Sequence, residues 1–191
     1  MQNIQIRLSE NQEKILPLVW TDGSEEIMVN AKLEGRGSRL LILGAVFLAN
    51  FDQVKVNINV EHIGEDTFSD VLIKSVLTDN SVGNFYGLVK IKKGAKNTNT
   101  FFREDALLLS KTAKAEAIPS LEINENEVKA GHASTVGKVD SEQVFYLTSK
   151  GIAQEEAKKL IVQGYFHSIS EQLPESEKEK LTTFLSKKFK I

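Results

Sequence analysis

The chain has 191 residues, 41% hydrophobic and 26% charged, enough to bury one sizeable core and too apolar for a disordered segment. With 24 basic and 26 acidic residues its formal net charge is −2, which gives no electrostatic footprint for nucleic acid or an anionic membrane. It contains no cysteine, so disulfides, thiolate nucleophiles, zinc–thiolate sites and cysteine-ligated clusters are excluded within the chain.

The N-terminal segment MQNIQIRLSENQEK lacks the basic stretch and apolar run of a secretory signal. The longest apolar run, Leu40 to Ala49, is too short to cross a bilayer as a helix. A cytoplasmic protein is therefore expected. Residues 1–26 read as an N-terminal lead-in.

Residues 27–138 read as a β core. From Ile27 to Val128 the hydrophobic period is two, most clearly in Val54-Lys-Val56-Asn-Ile58-Asn-Val60. Further strand-like runs are Ile27 to Leu33, Arg39 to Ala49, Phe68 to Leu77, Phe85 to Ile91 and Ala106 to Ser110, separated by Gly, Asn and Asp. No helical pattern intervenes, which disfavours βαβ units and leaves a sandwich, a barrel or a β-helix. Two features favour the β-helix: Leu40 to Leu43 is apolar on both faces, and Asn30, Asn50, Asn57, Asn59, Asn80, Asn84, Asn97 and Asn99 recur at inward or corner positions. No fixed-length repeat is visible.

Residues 139–191 read as a helical tail. Asp140 is a candidate N-cap opening a short helix through Phe145, Tyr146 and Leu147, and Gly151 is its stop. A second helix carries a stripe of Ala157, Leu160, Ile161, Gly164, Tyr165 and Ile169. A third, from Pro174 to Lys190, turns Leu181, Phe184, Leu185 and Phe189 inward and gathers Lys187, Lys188 and Lys190 at its end.

Chemistry-bearing motifs are sparse. No phosphate-cradling glycine pattern follows Gly35-Arg-Gly37, so any ATP dependence would come from another protein. His62, His132 and His167 have neither metal-ligand spacing nor a nucleophile-elbow partner. His132, among small residues in Lys129-Ala-Gly-His-Ala-Ser-Thr-Val-Gly137, is either an accessible functional imidazole or a histidine satisfied in a turn. His62, ending an apolar face, reads as a core or interface histidine, and Glu122 as an ordinary strand carboxylate.

Taken together, Pro119-Ser-Leu-Glu-Ile-Asn, Glu127-Val-Lys-Ala-Gly-His132-Ala-Ser-Thr-Val-Gly137 and Phe145-Tyr-Leu-Thr-Ser-Lys-Gly151-Ile resemble the C-terminal signature of the SufB/SufD scaffold proteins of iron–sulfur cluster assembly. Asn84-Phe-Tyr-Gly-Leu-Val-Lys-Ile91, Leu107-Leu-Leu-Ser110 and Gly164-Tyr-Phe166 extend the match. The resemblance implies a mainly β protein, a right-handed parallel β-helix followed by two to three α-helices. It implies a non-enzymatic subunit, closer to SufD than SufB, that pairs with a SufB-like subunit or with itself and binds a SufC-like ABC-type ATPase. His132 maps to the family's functional histidine at the subunit interface, where iron or a transient cluster would bind, none being held tightly by this chain alone. Phe145, Tyr146, Leu147, Gly151, Gly164 and Phe166 map to the ATPase-binding region. The sequence departs from the pattern where SufB has a cluster-related cysteine, since Phe101-Phe-Arg-Glu104 has Glu, and the chain is shorter than typical members. The alternatives are an ATPase-associated interaction module without iron chemistry and, further off, a β-helical carbohydrate-active enzyme.

Overall fold

The alternating runs become strands that never pair with their neighbour in sequence. In a computed structural model, which describes residues 1–21 and 23–188, the strands are β1 (Gln2–Leu8), β2 (Glu13–Trp20), β3 (Glu25–Leu33), β4 (Arg39–Leu48), β5 (Gln53–His62), β6 (Phe68–Leu77), β7 (Val82–Ile91), β8 (Asn99–Leu108), β9 (Lys114–Ile123) and β10 (Lys129–Lys138). Odd strands form one sheet in the order β1-β3-β5-β7-β9 and even strands a second in the order β10-β8-β6-β4-β2. All rungs are parallel, so each odd–even pair is one turn of a five-turn β-solenoid. Residues 1–26 contribute β1 and β2, the first of those turns.

Inward side chains of successive rungs stack in columns. Val56, Ile58 and Val60 lie 1–3% exposed inside, while Asn57 and Asn59 face outward. Asn30, Asn57, Asn59 and Asn84 are thus not interior residues; Asn59 Nδ2 donates to Asn30 Oδ1 at 2.9 Å on the outer face. Asn50 and Asn97 do turn corners, with φ of 54° and 57°. Stacked pairs lie 29 residues apart at Asn30–Asn59, 30 at Arg36–Asp66 and 31 at Ser69–Thr100, and this drift hides any fixed repeat.

One corner of the solenoid is a ladder of left-handed residues. Asn11, Gly37, Asp66 and Asn97 have positive φ, and their N–H groups donate to the next rung at Arg36, Glu65, Lys96 and Glu127 at 2.7–3.0 Å. Short polar side chains and glycine tolerate this conformation. At Gly37 φ is 68°, and an added Cβ would meet Asn11 Oδ1 at 2.5 Å unless that side chain moved.

Both faces of β4 are used. Leu40 and Ile42 enter the solenoid core; Leu43, Ala45 and Phe47 point outward beneath the helices. The helices are α1 (Ser141–Ser149), α2 (Gln154–Ser170) and α3 (Glu175–Lys188). Val162, Phe166 and Ile169 of α2 and Leu181 and Leu185 of α3 close this second core. Each fully buried side chain of this size stabilises the fold by about 1.5–3 kcal/mol. Its buried stripe on α2 is Ala157, Val162, Phe166 and Ile169; Leu160 and Gly164, expected on that stripe, are exposed. The rotation follows from β4 and β6, whose outward apolar residues select the face α2 presents. Phe189 and Lys190 lie outside the described residues.

Polar contacts fix α2 to the solenoid. The Tyr165 hydroxyl donates to the Asp105 carbonyl, and Lys74 donates to the Tyr165 carbonyl at 2.9 Å while lying 4.5 Å from its ring. Among the described residues no helix covers the outer face of the odd-strand sheet, which is solvated, with Glu61 between Lys32 (3.4 Å) and Lys92 (3.0 Å). No helix among the described residues is long and apolar enough to cross a membrane.

Candidate partner interface at the open end of the solenoid

The last turn lacks a covering rung. β9 pairs only with β7, and β10 only with β8, so each leaves an edge of unpaired backbone groups. Side chains that would be core in an inner turn are uncovered here. In β10 the inward column positions, set by register with Thr100, Phe102, Glu104 and Ala106, are Ala130, His132, Ser134 and Val136. His132 is exposed and Val136 is 46% exposed. Most of these side chains are small, so another β end can approach closely.

His132 is therefore accessible, the first of the two environments read from sequence. It is not satisfied in a turn; it stands mid-strand, stacked on Phe102 by register. Among the described residues no three His, Asp or Glu side chains converge on a metal position. One exposed imidazole and no thiolate are few donors for iron, so any ligation at this position would need donors from a second molecule.

Beneath the open end lies Glu104, which the sequence reading placed outside any strand. It is inward on β8, 1% exposed, and accepts from Ser75 Oγ at 3.0 Å, while its Oε2 has no hydrogen-bond partner. Burial pushes its carboxyl up to about 8; the Ser75 hydroxyl opposes the shift and the Asp105 charge adds to it. The charged run Arg103-Glu-Asp105 concealed the strand. Continuing the alternation back through Phe102 and Thr100 would have placed Glu104 inside. Asp105 faces the other way, toward α2, with one oxygen on Arg103 at 2.8 Å.

His62 is a core histidine, fully buried, with Nδ1 on Thr67 Oγ1 and Nε2 on Ser69 Oγ, both at 2.8 Å. Those hydroxyls continue to Thr98 (3.0 Å) and Thr100 (2.7 Å) on the next rung. Burial lowers its pKa to about 4, so the ring is neutral in ordinary buffers. Glu122 is an exposed strand carboxylate paired with Lys90 at 2.9 Å.

Of the residues mapped to ATPase binding, four are exposed, one is half-buried and one is buried. Phe145 (73%) and Tyr146 (61%) are exposed on α1; Gly151, with φ of 86°, ends that helix in the open, and Gly164 is exposed on α2. Leu147 is half-buried beside Ile161. Phe166 leaves the set: it is 1% exposed and fills the core between α2 and the solenoid, where no partner can touch it.

Residues 21–165 match the family model for the SUF system FeS cluster assembly, SufBD core domain. The chain is 37% identical over 130 residues to the iron–sulfur cluster assembly protein SufD of Bacillus subtilis, covering 68% of this chain and 30% of that protein. It is 36% identical over 159 residues to a SufBD family protein of Mycobacterium leprae, covering 78% and 41%, and 30% identical over 160 residues to another, covering 81% and 18%. The chain thus spans between 18% and 41% of the length of these relatives. A five-turn parallel solenoid with three trailing helices, matched by that model over residues 21–165, makes this chain a member of the SufBD family of iron–sulfur cluster assembly.

Proposed function

We propose that the chain is a SufD-like, non-catalytic subunit of an iron–sulfur cluster assembly complex. In this reading its open solenoid end pairs with a SufB-like subunit or a second copy, and its helices dock a SufC-like ATPase. The observation that carries the reading is the unfinished last turn, with the free edges of β9 and β10 and exposed His132 on one end face. Edge strands left bare in this way template pairing with another chain. Iron, as cargo, would be held by His132 together with ligands from the partner, because this chain has no thiolate to offer.

Two measurements test this. The chain has no native cysteine, so a Ser134→Cys variant reports directly on the end face. Oxidation should link it to a SufB-like subunit carrying a matching cysteine, or to itself, and failure to cross-link in an assembled complex refutes end-to-end pairing. In the reconstituted complex, His132→Ala should lower iron binding and cluster yield with assembly intact. Unchanged iron and cluster yield refutes the iron role and leaves the module without iron chemistry. Carbohydrate cleavage has no such support, since Glu61 and Glu122 on the open outer face are held in ion pairs with lysines.

A further inference from the structure

α1 has nine residues and buries none of them. A helix of that length is marginal in water on its own backbone hydrogen bonds, and helical stability in proteins comes mostly from packing. Its caps are in order: Asp140 accepts from the Glu142 N–H at 2.8 Å, and the Lys150 and Gly151 N–H groups close the last turn. Its packing within the chain is chiefly against α2. A capped helix with two adjacent aromatic residues in solvent is an element whose cover is missing.

The grooves flanking α1 differ in charge. On the solenoid side a cavity of about 610 Å³ has an apolar floor that includes Leu108, Val144 and Phe145, and Lys111, Lys138 and Lys158 stand around it. No carboxylate lines it. Lys158 is paired with Glu155 at 2.8 Å, whereas Lys111 and Lys138 have no ion pair among the described residues. On the far side a cavity of about 480 Å³ holds Tyr146 beside Asp140 and Glu142. In a chain of net charge −2, a groove with two lysines outside any ion pair among the described residues and no lining carboxylate is a local concentration of positive charge.

We propose that the solenoid-side groove docks an acidic segment of the ATPase partner. Apolar side chains of that segment pack against Val144 and Phe145, and flanking Asp or Glu residues meet Lys111 and Lys138. Aromatic anchors in a pocket with a charged rim are where binding energy and orientation concentrate in protein interfaces. The inference rests on the reading that the helices dock an ATPase, and it adds which groove is used and what chemistry the partner presents.

The test is calorimetric titration of the full chain with the purified SUF-system ABC ATPase at 50, 150 and 300 mM salt. Wild-type affinity should fall as salt rises. Lys111→Glu/Lys138→Glu should weaken binding about tenfold at 50 mM and flatten the salt dependence, and Phe145→Ala should weaken it at every salt concentration. Lys14→Glu/Lys55→Glu, of equal net charge and remote from the groove, should bind as wild type. Circular dichroism of each variant establishes that it is folded. Wild-type binding that survives the Lys111/Lys138 reversal with its salt dependence intact overturns the groove while leaving ATPase docking in place. No binding by the wild-type chain overturns both. Loss of self-association, rather than ATPase binding, in the reversal variant makes a second copy the occupant and also overturns the proposal.

Discussion

Glu104 gives the sharpest quantitative handle on the solenoid. Its folded pKa, pushed up to about 8 from an ordinary 4.5, means that the native state binds a proton the unfolded chain has released. A carboxyl raised in this way contributes stability that is complete below pH 4.5 and is lost as pH rises through 8. Integrating the proton difference between pH 5 and pH 8 gives a loss of roughly 3–4 kcal/mol, a large share of the 5–15 kcal/mol typical of a domain. Glu104→Gln keeps the shape and the Ser75 contact but cannot ionise. Urea unfolding of both proteins at pH 5, 6, 7 and 8 isolates the effect, because titrating groups not coupled to Glu104 cancel in the difference. The variant should gain on wild type steadily across that range. Parallel stability curves would refute a buried carboxyl that stays protonated in the folded protein.

Two further outcomes follow from packing. Gly87 faces the Phe102 ring so closely that a Cβ would lie 2.3–2.6 Å from its atoms, with Phe102 itself 3% exposed. Gly87→Ala should cost about 1–3 kcal/mol by overpacking, and the cost should shrink in a Phe102→Ala background, a non-additivity read by chemical denaturation. Tyr165→Phe removes the hydroxyl that joins α2 to the Asp105 carbonyl. It should cost roughly 1 kcal/mol and speed hydrogen exchange in α2 before the solenoid strands, whereas uniform acceleration would show that helices and solenoid unfold as one unit.

Strand positions were legible where alternation was clean and misleading where charge interrupted it. Phe68 to Leu77 appears in the sequence as it folds, because its inward residues are all small or apolar and Asp70 faces out. Of β8 only the run from Ala106 reads as a strand in the sequence, because a buried acid at Glu104 breaks the pattern that marks one. The lead-in became a turn for a related reason: β1 and β2 lie at an end and show only partial burial, so Gln2, Glu13 and Lys14 dilute the period. On α2 the helical period was correct but its phase was not. Which face is buried depends on Leu43, Phe47 and Val76 across the interface, and a single helix carries no record of them. For His132 the resemblance supplied a role, while its exposure comes only from being on the final rung.

That last point separates core from interface in a solenoid. The inward column Leu16, Ile42, Val71, Phe102, His132 crosses all five turns, and register alone makes its members equivalent. Ile42 and Val71 are fully buried because a rung lies on each side of them; His132 has a rung on one side only. An imidazole in an inner turn must find two hydroxyls, as His62 does with Thr67 and Ser69. On the last turn the same residue type keeps its ring nitrogens free for whatever completes the stack. Periodicity cannot mark a final rung, but composition does: from Lys129 to Gly137 the large aliphatic residues of earlier turns give way to Ala, Gly, Ser and Thr. That exchange removes side-chain volume where, on the proposed reading, a second solenoid end approaches, and it leaves His132 as the large polar side chain at mid-strand, with Lys138 at the strand's end.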